Sequence, residues 1–312
     1  MSGWRSAVRA RGRPEELPRR GTPRGRLLTA DDLDEARRVC ALDPVTGVLA
    51  AARLDVAALV GLEAAGGQAW GFPATGPLAA VCWSGANLVP VVPPAVTGQD
   101  AVDAVDAFAA LARLQGRRSS SIVGERTVAL ALWERLAAVW PPAREVRPDQ
   151  PSLAIDGDPL VEPDPLVRRA TLADVDVVLP ACVRMFAEEV GYAPVATPGS
   201  AYALRVRSLV AEGRAFVHLE PGAGAAARSP VVFKAELGAV AGGVAQVQGV
   251  WVDPVLRGRG LAAPGMAAVV VAARRDVAPV VSLYVNAYNA PALATYRRVG
   301  FEQVGTFATV LF

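Results

Sequence analysis

The stretch from Val250 to Ala262 constrains the fold of this chain more than any other feature of the sequence. Residues 244–252 are mostly apolar and rich in valine, which is typical of a buried strand. Pro254 ends that strand because a proline cannot donate to the ladder of a sheet. A glycine-bearing loop follows, and from Leu261 an alanine- and valine-rich run predicts a helix of about three turns. The pattern predicts an α/β fold in which a strand leads through a glycine loop into a helix.

The glycine loop is suited to binding an anion. The first N–H groups of a helix have no partner within it, and they lie at the positive end of the helix dipole. Gly258 and Gly260 allow phosphate oxygens to approach the main chain without a Cβ in the way. The loop is neither a P-loop nor a dinucleotide loop, because it lacks the Lys-Ser/Thr pair of the first and the Gly-x-Gly-x-x-Gly spacing of the second. On spacing alone, an ordinary strand-to-helix turn is the alternative.

A second block follows one helix later, with a strand predicted over residues 280–285 and a helix over residues 291–299. Together the two blocks resemble the motifs of the GNAT (Gcn5-related) N-acetyltransferase family, Arg/Gln-x-x-Gly-x-Gly/Ala and Leu-x-Val-x-x-x-Asn-x-x-Ala-x-x-x-Tyr-x-x-x-Gly-Phe. The matching residues are Arg257, Gly260, Ala262, Leu283, Val285, Asn289, Ala292, Tyr296, Gly300 and Phe301. The resemblance covers residues 165–312, and the text at 246–252 and 309–312 is similar to the DUF4081-containing type of this family.

The resemblance implies transfer of the acetyl group of acetyl-CoA to a primary amine by direct attack. The main chain of the glycine loop is expected to bind the CoA pyrophosphate, and the strand before it to pair with the pantetheine arm. Tyr296 matches the residue that protonates the departing thiolate; its alternative is a core aromatic on a helix face. Asn289 is expected beside the cofactor or as a helix cap. The candidate cofactor-binding residues are Val250, Trp251, Val252, Arg257, Gly258, Arg259, Gly260, Leu261, Ala262, Asn286, Asn289 and Tyr296.

The general base is left open by the sequence. Some family members carry a carboxylate at the position of Gln246, and a glutamine cannot take a proton at neutral pH. Glu236 on the neighbouring strand is the catalytic candidate, with water as the alternative. Lys234 shares its face of the strand, so an ion pair between the two carries equal weight. The candidate acceptor-binding residues are Glu188, Glu189, Tyr192 and Lys234, and for the two glutamates the alternative is a solvated helix end.

The chain of 312 residues is long enough for about two domains. The predicted divisions are an Arg-rich disordered arm (1–26), an N-terminal α/β domain of DUF4081 type (27–147), a Pro-rich linker (148–165) and a GNAT domain (166–312). The N-terminal domain repeats the order strand, helix, strand, helix, so it is either a degenerate GNAT-like repeat or an unrelated α/β domain. It lacks the cofactor loop, because Pro93-Pro94 and Asp100 occupy the equivalent position.

Composition excludes several classes of protein. Hydrophobic residues make up 52% of the chain and charged residues 20%, which is ample for packed cores. No apolar run reaches the roughly 18 residues that a membrane span needs. Three dispersed cysteines and one histidine give no disulfide or metal framework, so a cytoplasmic protein without a metal is expected. The net charge of +2 and the absence of a DNA-binding motif argue against nucleic acid as a partner.

Two functions from different classes are compatible with these residues. The first is an N-acetyltransferase acting on a small-molecule or peptide amine, as a monomer or a homodimer. The second is a non-catalytic acyl-CoA-binding or sensor protein. Tyr296 favours the enzyme, and the missing carboxylate at Gln246 favours the sensor.

Overall fold

One mixed sheet of twelve strands runs through both halves of the chain in the computed structural model, which describes residues 24–220 and 231–312. The strands are β1 (Arg26–Leu27), β2 (Gln68–Phe72), β3 (Ala80–Ser84), β4 (Asn87–Val91), β5 (Ser121–Glu125), β6 (Glu145–Ile155), β7 (Arg168–Arg169), β8 (Ala215–Leu219), β9 (Val231–Ala241), β10 (Val244–Val252), β11 (Val280–Tyr284) and β12 (Glu302–Leu311). The helices are α1 (Leu33–Ala41), α2 (Pro44–Val60), α3 (Gly98–Gln115), α4 (Arg126–Leu136), α5 (Val175–Val190), α6 (Ala201–Ala211), α7 (Ala262–Asp276) and α8 (Ala290–Val299). Of the arm predicted over residues 1–26, residues 1–23 lie outside the described ranges.

The two halves repeat a single order of elements. Each has a short strand, a 3-10 turn, two helices, three antiparallel strands, a helix, a strand parallel to the last of the three, a helix and a long final strand. Each 3-10 turn begins with the same capping box, in which the N–H of Thr29 donates to Asp32 and that of Thr171 to Asp174. The predicted α/β fold with a degenerate GNAT-like repeat is therefore confirmed.

The long final strands of the two halves are exchanged. The order across the centre of the sheet is β4-β5-β12-β6-β11-β10. The last strand of the chain, β12, pairs with β5 of the N-terminal half, and β6 pairs with β11 of the C-terminal half. Between them β12 and β6 are antiparallel partners over most of their length. Each half therefore completes the sheet of the other.

The exchange corrects the predicted linker over residues 148–165, because residues 145–155 form the central strand β6. The prolines in this stretch suggested a linker, since proline removes a donor from a ladder. Pro148 lies where the pairing of β6 with β12 shifts register, and a bulge of this kind tolerates a missing N–H. Only the residues after Ile155 connect the halves without regular structure, before β7 begins.

A shared core holds the exchanged sheet together. Helix α2 packs on β3 and β4 of its own half and on β9 and β10 of the other. In that core Phe307 of β12 is 1% exposed and stacks on Tyr284 of β11, with ring centroids 5.0 Å apart. None of the helices in the described ranges is long and apolar enough to cross a bilayer.

Truncating Phe307 tests the stabilising role of the exchanged strand. The variant Phe307→Ala removes a buried aromatic ring, so it is expected to lower the free energy of unfolding by about 3–5 kcal/mol. Val304 on the same strand is 57% exposed, and Val304→Ala is expected to change it by no more than about 0.5 kcal/mol. Urea denaturation measures both, and equal losses in the two variants contradict a buried central role for β12.

Candidate active site

A cleft of about 1100 Å³ opens where β10 and β11 diverge. Their parallel ladder joins residues 244–246 to residues 280–282 and ends there, so the later main chain of β10 faces open space. Most of the residues singled out from the sequence line this cleft. They are Val250, Trp251, Val252, Arg257, Gly258, Gly260, Leu261, Ala262, Asn286, Asn289, Tyr296, Glu188 and Glu189.

The glycine loop forms one end of the cleft and presents unpaired donors to it. Gly258 and Gly260 have φ angles of 76° and 78°, a region that strongly favours glycine. Helix α7 begins at Ala262, and no side chain caps its N-terminus. Within the described residues, the N–H groups of residues 258–262 donate to no backbone carbonyl. These donors and the helix dipole fit the phosphate groups of a nucleotide cofactor, which the residues of this loop would hold through their main chain.

A β-bulge shapes the wall of the cleft beside the loop. Between the pairs Gln248–Glu236 and Trp251–Lys234, β10 has one residue more than β9. Gly249 lies in this bulge with a φ of 63°, and its carbonyl accepts a hydrogen bond from Lys234 Nζ at 2.9 Å. The bulge turns the main chain of residues 249–252 towards the cleft, where it is available to a ligand.

The structure places Glu236 and Lys234 behind the bulge and not on the cleft. Lys234 is 1% exposed and donates to Glu236 Oε1 at 2.7 Å, and Cys182 Sγ lies 3.2 Å from the same oxygen. Burial lowers the pKa of Lys234, but the adjacent Glu236 and Cys182 together outweigh it and the net shift is upward, while burial raises the pKa of the Cys182 thiol to about 12. The ion pair is therefore the interpretation that holds. Neither residue is among those that line the cleft, so the structure gives no support to their predicted roles in catalysis and acceptor binding.

Glu188 holds the glycine loop in place. At the end of α5 its carboxylate accepts from Trp251 Nε1 at 3.3 Å and from the Arg257 guanidinium at 2.5 Å. Arg257 also donates from Nε to the carbonyl of Val252 at 3.1 Å. These contacts join α5 to both ends of the turn before the loop, so Glu188 positions the loop residue Arg257.

Glu189 carries a carboxylate that is free to act in the cleft. Its side chain makes no hydrogen bond or ion pair with another residue of the described ranges, whereas its main-chain carbonyl accepts from Arg147 of β6 at 2.7 Å. By surface area Glu189 is an exposed residue, yet the protein atoms packed around its carboxylate displace part of the bulk water, and this desolvation raises the pKa of Glu189. Lys234 and Arg147 oppose the rise without cancelling it.

Tyr296 lies in the same cleft, and its phenol group is protonated. It is 7% exposed on α8, and its ring packs edge-on against Phe301 with centroids 5.9 Å apart. Burial raises the pKa of the Tyr296 phenol, and the negative charge of Glu189 raises it further. The hydroxyl therefore stays protonated at neutral pH and can serve as a proton donor.

The two asparagines after β11 have structural partners at the cleft. Asn289 accepts the N–H of Ala292 at 3.2 Å and so caps α8, as one of its two predicted roles required. Asn286 accepts from Gln150 Nε2 at 2.9 Å. Both side chains line the cleft, within reach of a cofactor bound there.

Two other expectations are not supported by the positions of the side chains. Tyr192 is 55% exposed outside the cleft, where it packs against Phe186 and beneath the guanidinium of Arg144. Arg259 is exposed and is not among the residues that line the cleft. Gln246, whose amide cannot serve as a base, is 3% exposed on the face of the sheet under α2.

Sequence reasoning missed the part of the cleft that the N-terminal half and the exchanged strands supply. The lining residues from these elements are Asn87, Ser121, Val123, Arg147, Gln150, Thr309 and Leu311. No local motif identifies them, because only the exchange of β6 and β12 brings them to this edge of the sheet.

Comparison with known sequences gives two family matches along the chain. Residues 67–178 match the family model of DUF4081, a domain of unknown function, and residues 214–301 match that of the Acetyltransferase (GNAT) family. No curated protein matches the chain.

Three solved structures resemble nearly the whole chain. A GCN5-related N-acetyltransferase from Sphaerobacter thermophilus is 19% identical, with a TM-score of 0.54 over 92% of this chain and 95% of that one. A tandem GNAT protein of the clavulanic acid biosynthesis pathway is 16% identical (TM-score 0.52, 92% and 98% covered), and a Drosophila malonogaster protein 12% identical (TM-score 0.60, 93% and 99% covered). At these identities the likeness shows the fold alone. The family matches add that a segment matching DUF4081 precedes a segment matching the GNAT acetyltransferase family in this chain.

Proposed function

We propose that this protein transfers the acetyl group of acetyl-CoA to a primary amine. The observation that carries the proposal is the sharing of one cleft by the unpaired N–H groups of the glycine loop, the open main chain of β10 and the protonated Tyr296. The family match and the fold support acyl transfer in general. Acetyl-CoA supplies the acetyl thioester and a thiol leaving group.

The residues of the cleft divide the remaining work between them. The main chain of residues 258–262 holds the phosphates, and the open edge of β10 pairs with an extended arm as an added strand does. The amine nitrogen forms a bond to the carbonyl carbon as the carbon–sulfur bond breaks. Tyr296 gives its proton to the departing sulfur, and Glu189 takes the proton that the amine loses.

Glu189 fits the role of proton acceptor better than Glu236 does. Its carboxylate lies on the cleft without a partner among the described residues, while that of Glu236 is bound to Lys234 behind the bulge. A raised pKa makes Glu189 a stronger base than an ordinary carboxylate. The negative charge near Tyr296 also favours the protonated phenol.

A non-catalytic acyl-CoA sensor is the second candidate, and one observation favours it. Glu236, on the strand paired with the motif strand, is held in a structural ion pair. A protein with the same cofactor cleft but no working base would bind acetyl-CoA without turning it over. The two candidates differ in a single measurable property, which is the release of CoA in the presence of an amine.

Turnover with a panel of amines separates the two functions. Wild-type protein with acetyl-CoA and kanamycin, glucosamine, spermidine or triglycine amide is expected to release CoA with at least one of them. The variant Tyr296→Phe is expected to lower kcat by about 10²–10⁴-fold, because the thiolate loses its proton donor, while the Kd for CoA stays unchanged. Tight binding without CoA release from any amine contradicts the enzyme.

The pH profile tests Glu189. As a base it must be ionised, so kcat/KM is expected to fall as the pH drops through a pKa above that of an ordinary carboxylate. Glu189→Gln is expected to lower kcat by about 10²-fold and to remove this acidic limb. Glu188→Gln is the comparison, since Glu188 holds Arg257 and its loss is expected to weaken CoA binding but to keep the limb. An acidic limb that survives in Glu189→Gln rules out this base.

Two matched glycines test the cofactor loop. Gly260 and Gly116 have φ angles of 78° and 72°, and a Cβ added at either meets nothing within 4 Å. Alanine is therefore expected to destabilise the protein by about 1–2 kcal/mol at both positions through backbone strain. Only Gly260→Ala is expected to weaken CoA binding, by about tenfold in calorimetric titration. Equal CoA affinity in the two variants removes the loop from the cofactor site.

A further inference from the structure

The far wall of the cleft is built by the N-terminal half. Across the sheet, β5 pairs with β12, β12 with β6, and β6 with β11, and all three pairs are antiparallel. Strands β4 and β5 therefore run opposite to β10 and β11. The first residues of β4 and β5, Asn87 and Ser121, therefore lie at the same edge of the sheet as the last residues of β10 and β11. Both side chains line the cleft that holds Tyr296.

This wall is polar, and it carries no unbalanced charge. Ser121 Oγ donates to Asn87 Oδ1 at 2.9 Å, which leaves the Asn87 amide N–H groups facing the cleft. Gln150 accepts from Thr309 at 2.6 Å and donates to Asn286 at 2.9 Å. Arg147 is balanced by Glu145, which accepts from it at 2.8 and 2.9 Å.

Glu189 lines the same cleft as this wall and Tyr296. Its carbonyl is bonded to Arg147 of β6, the strand that lies three places from β4 in the sheet. Neighbouring strands are about 4.8 Å apart, so the axis of β6 lies about 14 Å from the axis of β4, which begins at Asn87. A molecule that places its nitrogen beside Glu189 and reaches Asn87 is therefore extended along the cleft. A carboxylate next to its amine is disfavoured, because Glu189 repels it.

We propose that Asn87 and Ser121 of the N-terminal half form the distal part of the acceptor site, and that the acceptor is an elongated primary amine whose body carries neutral oxygen groups such as hydroxyls or amide carbonyls. The inference rests on the proposed function. It gives a function to the N-terminal half, which has Pro93 and Pro94 where the C-terminal half has its glycine loop. The first residues of β4 and β5 in this half form a wall of the acceptor site.

Blocking the wall chemically tests the inference on the whole protein. The three native cysteines, Cys40, Cys82 and Cys182, are buried, so N-ethylmaleimide reacts selectively with a cysteine introduced at an exposed position. In Asn87→Cys the label is expected to lower kcat/KM at least tenfold for the best amine of the panel, with the Kd for CoA unchanged. The matched control is Ser120→Cys, one residue from Ser121, exposed and outside the cleft lining. Its labelled form is expected to transfer at the wild-type rate.

A smaller change tests the neutral contacts. Asn87→Ala removes one uncharged hydrogen bond, so kcat/KM for the best oxygen-bearing amine is expected to fall about fivefold, while that for octylamine does not change.

The other outcomes of the labelling experiment each overturn part of the inference. Labelled Asn87→Cys at the wild-type rate overturns the subsite, and a weakened Kd for CoA in that protein assigns Asn87 to the cofactor instead. Failure of the proposed function is recognised separately, because unlabelled wild-type protein then releases no CoA with any amine.

Discussion

The exchange of β6 and β12 is the constraint on which the rest of the structure depends. Because β12 pairs with β5 and β6 pairs with β11, neither half completes its sheet alone. The exchange makes β4 and β5 of the N-terminal half run opposite to β10 and β11 of the C-terminal half. The first residues of β4 and β5 therefore lie at the same end of the sheet as the diverging ends of β10 and β11. One core under α2 covers the junction, where Phe307 and Tyr284 stack. The cleft draws on both halves, since the exchanged strands add Arg147, Gln150, Thr309 and Leu311 to a lining that comes mostly from the C-terminal half.

Within this frame, a buried ion pair keeps the motif strand open. Lys234 reaches past Glu236 to the carbonyl of Gly249, and this contact supports the bulge that turns β10 towards the cleft. Glu188 acts at the other end of the same strand by holding Trp251 and Arg257. The carboxylates of Glu236 and Glu188 are thus held in structural contacts. The carboxylate of Glu189 has no partner among the described residues and is available to act as a base.

Sequence patterns anticipated what is local and failed where the chain returns from a distance. The glycine loop, Tyr296 and the helix cap at Asn289 were found because their spacing follows from one strand and one helix. A linker was predicted over residues 148–165 because Pro148 and Pro151 hide the strand at residues 145–155, whose partners lie far away in the sequence. For Glu236 the strand position left two roles open, a base and an ion pair with Lys234, and only the structure shows that the carboxylate is bound to Lys234. Asn87 and Ser121 have no motif at all. A signal that was present is the repeated Thr-x-x-Asp box at Thr29 and Thr171, which marks the start of each repeat.

We propose that one cofactor binds at the glycine loop with its thioester beside Tyr296. A crystal structure of the protein soaked with CoA would show whether it does. We expect pyrophosphate oxygens within about 2.7–3.2 Å of the N–H groups of residues 258–262, and the CoA sulfur within hydrogen-bond reach of the Tyr296 hydroxyl. CoA bound at the Pro93-Pro94 turn, or at the glycine loop with its sulfur far from Tyr296, would contradict it.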